Sequence, residues 1–184
     1  MDPTGESQNS RQKGLVVVFT GNGKGKTSAA MGVMTRARGH GLRVAVLQFI
    51  KSPERAYGEA GAAQRLGVLF ESLGTGFVFN PEKGGQDRQA TLAAWEKAKA
   101  LISGGGTDVV ILDEFTYPLT FGWLDVGEVV AWFKANKPDR LHLVLTGRNA
   151  PDELVDYADM VTEMREVKHP FRLQQIPAQK GIDF

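Results

Sequence analysis

Residues 15–28 read LVVVFTGNGKGKTS, and the fold follows from how this stretch divides. Leu15–Phe19 is a continuous apolar run, as expected of a strand covered on both faces. Gly21, Gly23 and Gly25 then permit sharp turning and bring successive backbone N–H groups inward, forming an anion-binding nest. From Lys26 to about Arg38, Ala29, Ala30, Val33, Met34 and Ala37 recur at helical spacing, and the GHG that follows ends the helix. Strand, glycine loop and helix in this order make a phosphate-gripping arrangement. The helix N-terminus faces the anion, Lys26 adds a point charge, and the Thr27 hydroxyl is placed to ligate a magnesium ion.

The spacing inside the loop is irregular. The usual form has a glycine, four residues, then Gly-Lys-Thr/Ser. Counting back from Gly25, the leading position falls on Thr20. Starting from Gly21 leaves three residues between the two glycines, with Lys24 among them. A loop shortened by one residue converges different N–H groups, so the phosphates need not sit as in a standard ATPase. Lys24 is then either a second phosphate contact or a solvated loop lysine.

The remaining chain alternates strands and helices. Strands are expected at Arg43–Phe49, Val68–Glu71, Asp108–Glu114, Leu141–Thr146 and Met160–Val167. Helices are expected at Glu59–Leu66, Asp87–Ile102 and Pro151–Tyr157. A further helix opens at Asp125, which stands three residues before Glu128 like the first member of a capping box. Such alternation predicts an α/β, three-layer P-loop (RecA-like) fold, with a mostly parallel central sheet and helices on both faces. Ligands of these sheets bind beyond the carboxyl ends of the strands. The glycine loop, the acidic pair and the TGR turn all follow predicted strands and should meet at one sheet edge.

VVILDE is the natural second half of a nucleotide site, an apolar strand delivering Asp113 and Glu114 to metal and phosphates. In a hydrolase Glu114 would be the base that activates water; otherwise either acid can hold the metal. Composition narrows the classes. The 184 residues suit one domain, residues 14–184, preceded by a polar arm at 1–13. That arm reads as a disordered tail or as a segment that orders over a ligand. A net charge of +1 gives no basic excess of the kind that binds nucleic acid. The absence of cysteine removes disulfides, thiolate catalysis and zinc–cysteine sites. No apolar run reaches the ~20 residues that span a bilayer, so no membrane association is expected and the expected location is the cytoplasm.

TGNGKGKTSAAMG, VLQFIK, GTGF, VVILDEFTY, LTGRNAP, LVDYADMVTEM, VKHPF and AQKGIDF occur in this order from Gly14 to Phe184. The set resembles the ATP:corrinoid adenosyltransferases, a P-loop-type family of cobalamin synthesis and salvage. The resemblance implies transfer of the 5′-deoxyadenosyl group of ATP to the Co(I) centre of a corrinoid, with triphosphate leaving whole. It implies Mg²⁺ or Mn²⁺, a reduced flavoprotein as electron donor, and a homodimer. ATP in this family lies reversed in the loop. By motif, Gly21, Asn22, Gly23, Lys24, Gly25, Lys26, Thr27 and Ser28 bind ATP together with Arg148. Lys26 and Glu114 are the implied catalytic residues, and Thr27, Glu114 and Asp113 the implied metal site. Phe77 and Phe79 would lie against the lower face of the corrin; relatives often carry tryptophan at the second position. His169 reads as structural, because an axial histidine would oppose reduction of cobalt. Pro177 stands where relatives tend to have a basic residue. The competing readings are a P-loop ATPase or kinase using Glu114 as base, and an ATP-binding regulatory module without turnover.

Overall fold

The computed structural model describes residues 13–54, 57–76 and 85–184. The arm at 1–12 and the aromatics Phe77 and Phe79 lie outside the described residues. Six strands form one sheet: β1 Val16–Thr20, β2 Val44–Gln48, β3 Leu69–Ser72, β4 Val109–Asp113, β5 His142–Thr146 and β6 Met160–Glu163. Their order is β3-β2-β4-β5-β1-β6, and every neighbouring pair is parallel. Parallel strands need crossovers, and α1 Lys26–Gly39, α2 Gly58–Arg65, α3 Gly85–Ser103, α5 Val126–Asn136 and α6 Asp152–Tyr157 supply them.

Strand periodicity of two sorts the core into two layers. Val17, Phe19, Val46, Val109, Ile111 and Val144 point to one face and pack on Ala30, Met34 and Ala37 of α1 and Ala63 of α2. Val16, Val18, Leu47, Val110, Leu112, Leu143 and Leu145 point to the other, against α3, α5 and α6. That second layer is aromatic. Trp95 meets Phe133 edge-on at 5.5 Å and 88°, and Phe49 meets Phe115 at 5.0 Å and 73°. Such pairs add about 0.5–1.5 kcal/mol each beyond area burial. Phe115 is fully buried and follows directly on Glu114, so the aromatic layer anchors the acidic turn.

The expected elements are present with ends shifted by a residue or two. Asp125 caps α5 as its spacing predicts, accepting from the Glu128 N–H at 2.9 Å. Two short helices, α4 Thr116–Thr120 and α7 Pro170–Gln174, were not expected. At five residues each they carry too little periodicity to be read. The last strand is shorter than the expected Met160–Val167. It stops at Glu163 because Met164 turns toward the glycine loop, donating to Thr20 O at 2.8 Å and accepting from Gly23 N–H at 2.6 Å.

A nucleotide-type site at the carboxyl edge of the sheet

The glycine loop, the acidic turn after β4 and the TGR turn after β5 come together at the carboxyl ends of the strands. Gly25 is the N-cap of α1 at φ 111°, and no side chain caps the helix and no acid occupies its first turn. An uncapped, acid-free helix N-terminus is suited to an anion. Lys26 Nζ donates to Gly21 O and Gly23 O, both at 2.7 Å, so its ammonium lies across the loop. Burial draws Lys26 below the usual lysine range, Arg148 and Lys24 act in the same sense, and Glu114 and Asp113 oppose them.

Neighbouring chain dictates two of the loop glycines as much as any ligand does. A Cβ on Gly21 would lie 2.5 Å from Met164 O, and one on Gly23 2.7 Å from the same oxygen. The Gly23 N–H, donated to Met164, is thereby withdrawn from the nest, while the uncapped first turn of α1 stays directed toward an anion. Lys24 forms an ion pair with Asp183 of the terminal GIDF. Of the two readings open for Lys24, neither describes this arrangement, in which the lysine ties the loop to the C-terminal segment. His169 lies beside them and lines a cavity of about 610 Å³ with Lys24, Phe171, Pro177 and Asp183.

Asp113 is fully buried, and its oxygens are taken up by protein donors. Thr27 Oγ1 and Thr146 Oγ1 donate to Oδ1 at 2.9 and 2.6 Å, and Gln48 Nε2 donates to Oδ2 at 2.9 Å. Ser72 in turn donates to Gln48 Oε1 at 2.8 Å. Asp113 therefore positions Thr27 rather than offering a free ligand oxygen. Glu114 is the opposite case. It adopts φ 62°, rare for a residue other than glycine, with its N–H donated to Thr146 Oγ1 at 2.9 Å. Its Oε2 is buried with no hydrogen-bond partner. Burial, then the charge of Asp113, pushes the Glu114 carboxyl up to about 7, against the pull of Lys51 and Lys26.

The orphaned Glu114 oxygen and the Thr27 hydroxyl are both oxygen donors, the kind that suits a hard cation such as Mg²⁺. Among the described residues no cluster of three His, Cys, Asp or Glu side chains is able to hold a metal. Any such ion would draw its remaining ligands from phosphate oxygens and water, as Mg²⁺ commonly does.

Gly147 and Arg148 form the third wall. Thr116 Oγ1 donates to Arg148 O at 2.6 Å, and Gly147 sits against the same hydroxyl at φ 143°. The Arg148 charge acts on both Lys26 and Tyr117. A Cβ on Gly147 would overlap Thr116. We expect Gly147→Ala to cost about 1–3 kcal/mol, the scale of overpacking, read as a lower denaturation midpoint at unchanged m-value.

The family model for "ATP:corrinoid adenosyltransferase BtuR/CobO/CobP" matches residues 12–184. The chain belongs to this family. Among adenosyltransferase relatives, a corrinoid adenosyltransferase of Sinorhizobium sp is 44% identical over 176 residues, covering 94% of this chain and 81% of the relative. Corrinoid adenosyltransferase CobA of Salmonella typhimurium is 39% identical over 178 residues, covering 97% of this chain and 89% of its own. Among solved structures, flagellar accessory protein FlaH from Methanocaldococcus jannaschii superposes with TM-score 0.56 at 12% identity, over 83% of this chain and 71% of that one. That likeness concerns the fold alone.

Set in this adenosyltransferase frame, the structure brings together Gly21–Ser28, Asp113, Glu114 and Arg148. Sequence reasoning passed over Gln48, Thr146 and the Lys51–Glu59 pair. Gln48 did leave a signal. It is a polar residue closing an apolar strand, and its register partner across the sheet is Asp113.

Proposed function

We propose that the protein transfers the 5′-deoxyadenosyl group of ATP to the Co(I) centre of a corrinoid, releasing triphosphate. The observation that carries this reading is the family match, which runs unbroken across the glycine loop, the acidic turn and the terminal GIDF. In the reaction a cobalt lone pair attacks C5′ of the ribose. The Co–C bond forms as the C5′–O bond breaks, the bonding pair leaves with the triphosphate, and cobalt ends formally as alkyl-Co(III). No phosphorus is attacked, so no base need direct water at the γ-phosphate. The protein's task is to neutralise charge growing on the leaving group.

Lys26 and the first N–H groups of α1 take that role, with Arg148 beside them. Thr27 and Glu114 would hold Mg²⁺ or Mn²⁺, and the ion, when bound, screens the triphosphate charge. Asp113 keeps the Thr27 hydroxyl turned toward the site. Phe77 and Phe79 would press on the lower face of the corrin, displace its axial ligand and ease reduction by a reduced flavoprotein. The enzyme would work in the cytoplasm as a homodimer. The edge strand β6 supports association, with Met160 and Val161 exposed, as are Phe171 and Leu173 farther along the C-terminal segment. Among the described residues no helix is long and apolar enough to cross a membrane.

The test is anaerobic incubation with ATP, Mg²⁺ and chemically reduced cob(I)alamin. The adenosyl-cobalt absorbance spectrum and intact triphosphate should appear in equal amounts. ADP and phosphate formed without corrinoid would establish a hydrolase, and ATP binding without either product a regulatory module. For the corrinoid loop, Phe77→Ala should slow adenosylation from Co(II) far more than from pre-formed Co(I). Equal losses would remove it from axial-ligand displacement.

A further inference from the structure

β5 runs beside β4, and their ladder last pairs Leu112 with Leu145. One step farther on, the side chain of Thr146 takes over from the backbone. Its Oγ1 accepts from the Glu114 N–H at 2.9 Å and donates to Asp113 Oδ1 at 2.6 Å. The proton count fixes both directions. An amide N–H only donates, so the hydroxyl must accept there, and its single hydrogen is left for the carboxylate. Thr146 is buried, so bulk solvent does not replace either bond.

The consequence falls on Glu114. At φ 62° it holds a backbone conformation strained for any residue with a side chain, and such a residue persists only where its surroundings fix it. Asp113 is held in β4 on one side of it, and Phe115 in the aromatic layer on the other. Between them the Glu114 N–H sets the direction of the turn, and Thr146 is the group that holds it. A reciprocal bond runs the other way. Thr116, two residues after Glu114, donates to Arg148 O, two residues after Thr146, at 2.6 Å. Each turn thus binds the backbone of the other through a threonine, and the two are fixed as one unit. Thr27 meets the same Asp113 oxygen at 2.9 Å. One hydroxyl therefore reaches, through one amide and one carboxylate, both residues assigned to the ion.

We infer that Thr146 is a positioning residue for the metal: by holding the Glu114 N–H and Asp113 together, its hydroxyl aims Glu114 and Thr27 at one cation. This rests on the reading in which those two residues hold Mg²⁺. Packing and hydrogen bonding are separable at this position, since valine keeps the shape of threonine and serine keeps its hydroxyl. The experiment measures ATP binding by calorimetry across a Mg²⁺ series and again in EDTA. Thr146→Val should weaken the apparent Mg²⁺ affinity by about tenfold, the lower end of the range for groups that orient metal ligands. Its ATP affinity in EDTA should match wild type, because Lys26 and the first turn of α1 are untouched. Thr146→Ser should stay close to wild type in both conditions. Serine losing as much as valine, or valine binding Mg²⁺ as wild type does, overturns the inference. So does an equal loss in EDTA, which would make Thr146 a support for the glycine loop. If Thr146→Val does not fold, Thr146→Ala and Thr146→Ser, which differ by one hydroxyl, carry the same comparison. Failure of the metal reading itself shows differently: wild type would then bind ATP equally well in Mg²⁺ and in EDTA.

Discussion

Lys26→Ala is expected to lower kcat for adenosylation from pre-formed Co(I) by about 10²–10³-fold, the cost of removing one preorganised charge from a developing anion. The loss falls on kcat because the charge that Lys26 meets grows as the C5′–O bond breaks and is smaller in bound ATP. Corrinoid binding survives, since the ammonium lies across Gly21 and Gly23 and not toward the loop at 74–76. Lys26→Arg retains the charge but exchanges a point donor for a planar fork, and recovers only part of the rate. The measurement is single-turnover adenosylation with corrinoid and ATP affinities determined separately. Unchanged turnover in Lys26→Ala would strip the residue of its role.

Glu114→Gln should abolish most activity and also stabilise the ligand-free protein. The sign follows from its carboxyl being raised from 4.5 to about 7 in the folded chain, first by burial and then by Asp113. The folded state holds this proton more tightly than the unfolded chain does. The resulting stabilisation is complete below 4.5 and is lost as pH rises through about 7. At pH 8 wild type carries a buried charge, one oxygen of which has no hydrogen-bond partner, that the glutamine variant lacks. The variant should therefore melt higher at pH 8, by a few degrees on the scale of about 2–4 °C per kcal/mol for a chain of this size. The gap should close as pH is lowered toward 5. Saturating Mg²⁺ and ATP should reverse the order, because in the proposed role a charged carboxylate holds the ion more tightly than a neutral amide. A variant no more stable than wild type at pH 8 would contradict the assigned cost of burying Glu114.

The fold was legible because its signals are local and repeated. Apolar runs such as VVVF and VVIL have no polar alternation and so predict strands buried on both faces, and the parallel sheet follows from the helices between them. The loop and the DE pair were legible for the same reason, each following such a run. What escaped depends on juxtaposition. Nothing local marks Thr146 as the hydroxyl that both donates to Asp113 and accepts from Glu114 N–H, because the meeting requires β5 to lie beside β4. Lys51 and Glu59 are eight residues apart and meet only because α2 folds back over the end of β2. Lys24 was left between two local options, whereas its partner Asp183 is 159 residues away.

The contacts of the glycine loop with Met164 and Asp183 also bear on the order of events during synthesis. The loop emerges from the ribosome early, and the strand end that takes the Gly23 N–H and the aspartate that holds Lys24 follow more than a hundred residues later. Through most of translation the loop is therefore without these two partners. Its contacts are completed only by the C-terminal segment, so if the loop holds ATP as proposed, that segment times the appearance of binding. A proteolytic nick between Met164 and Asp183 would then silence the nucleotide site without touching a residue that contacts ATP.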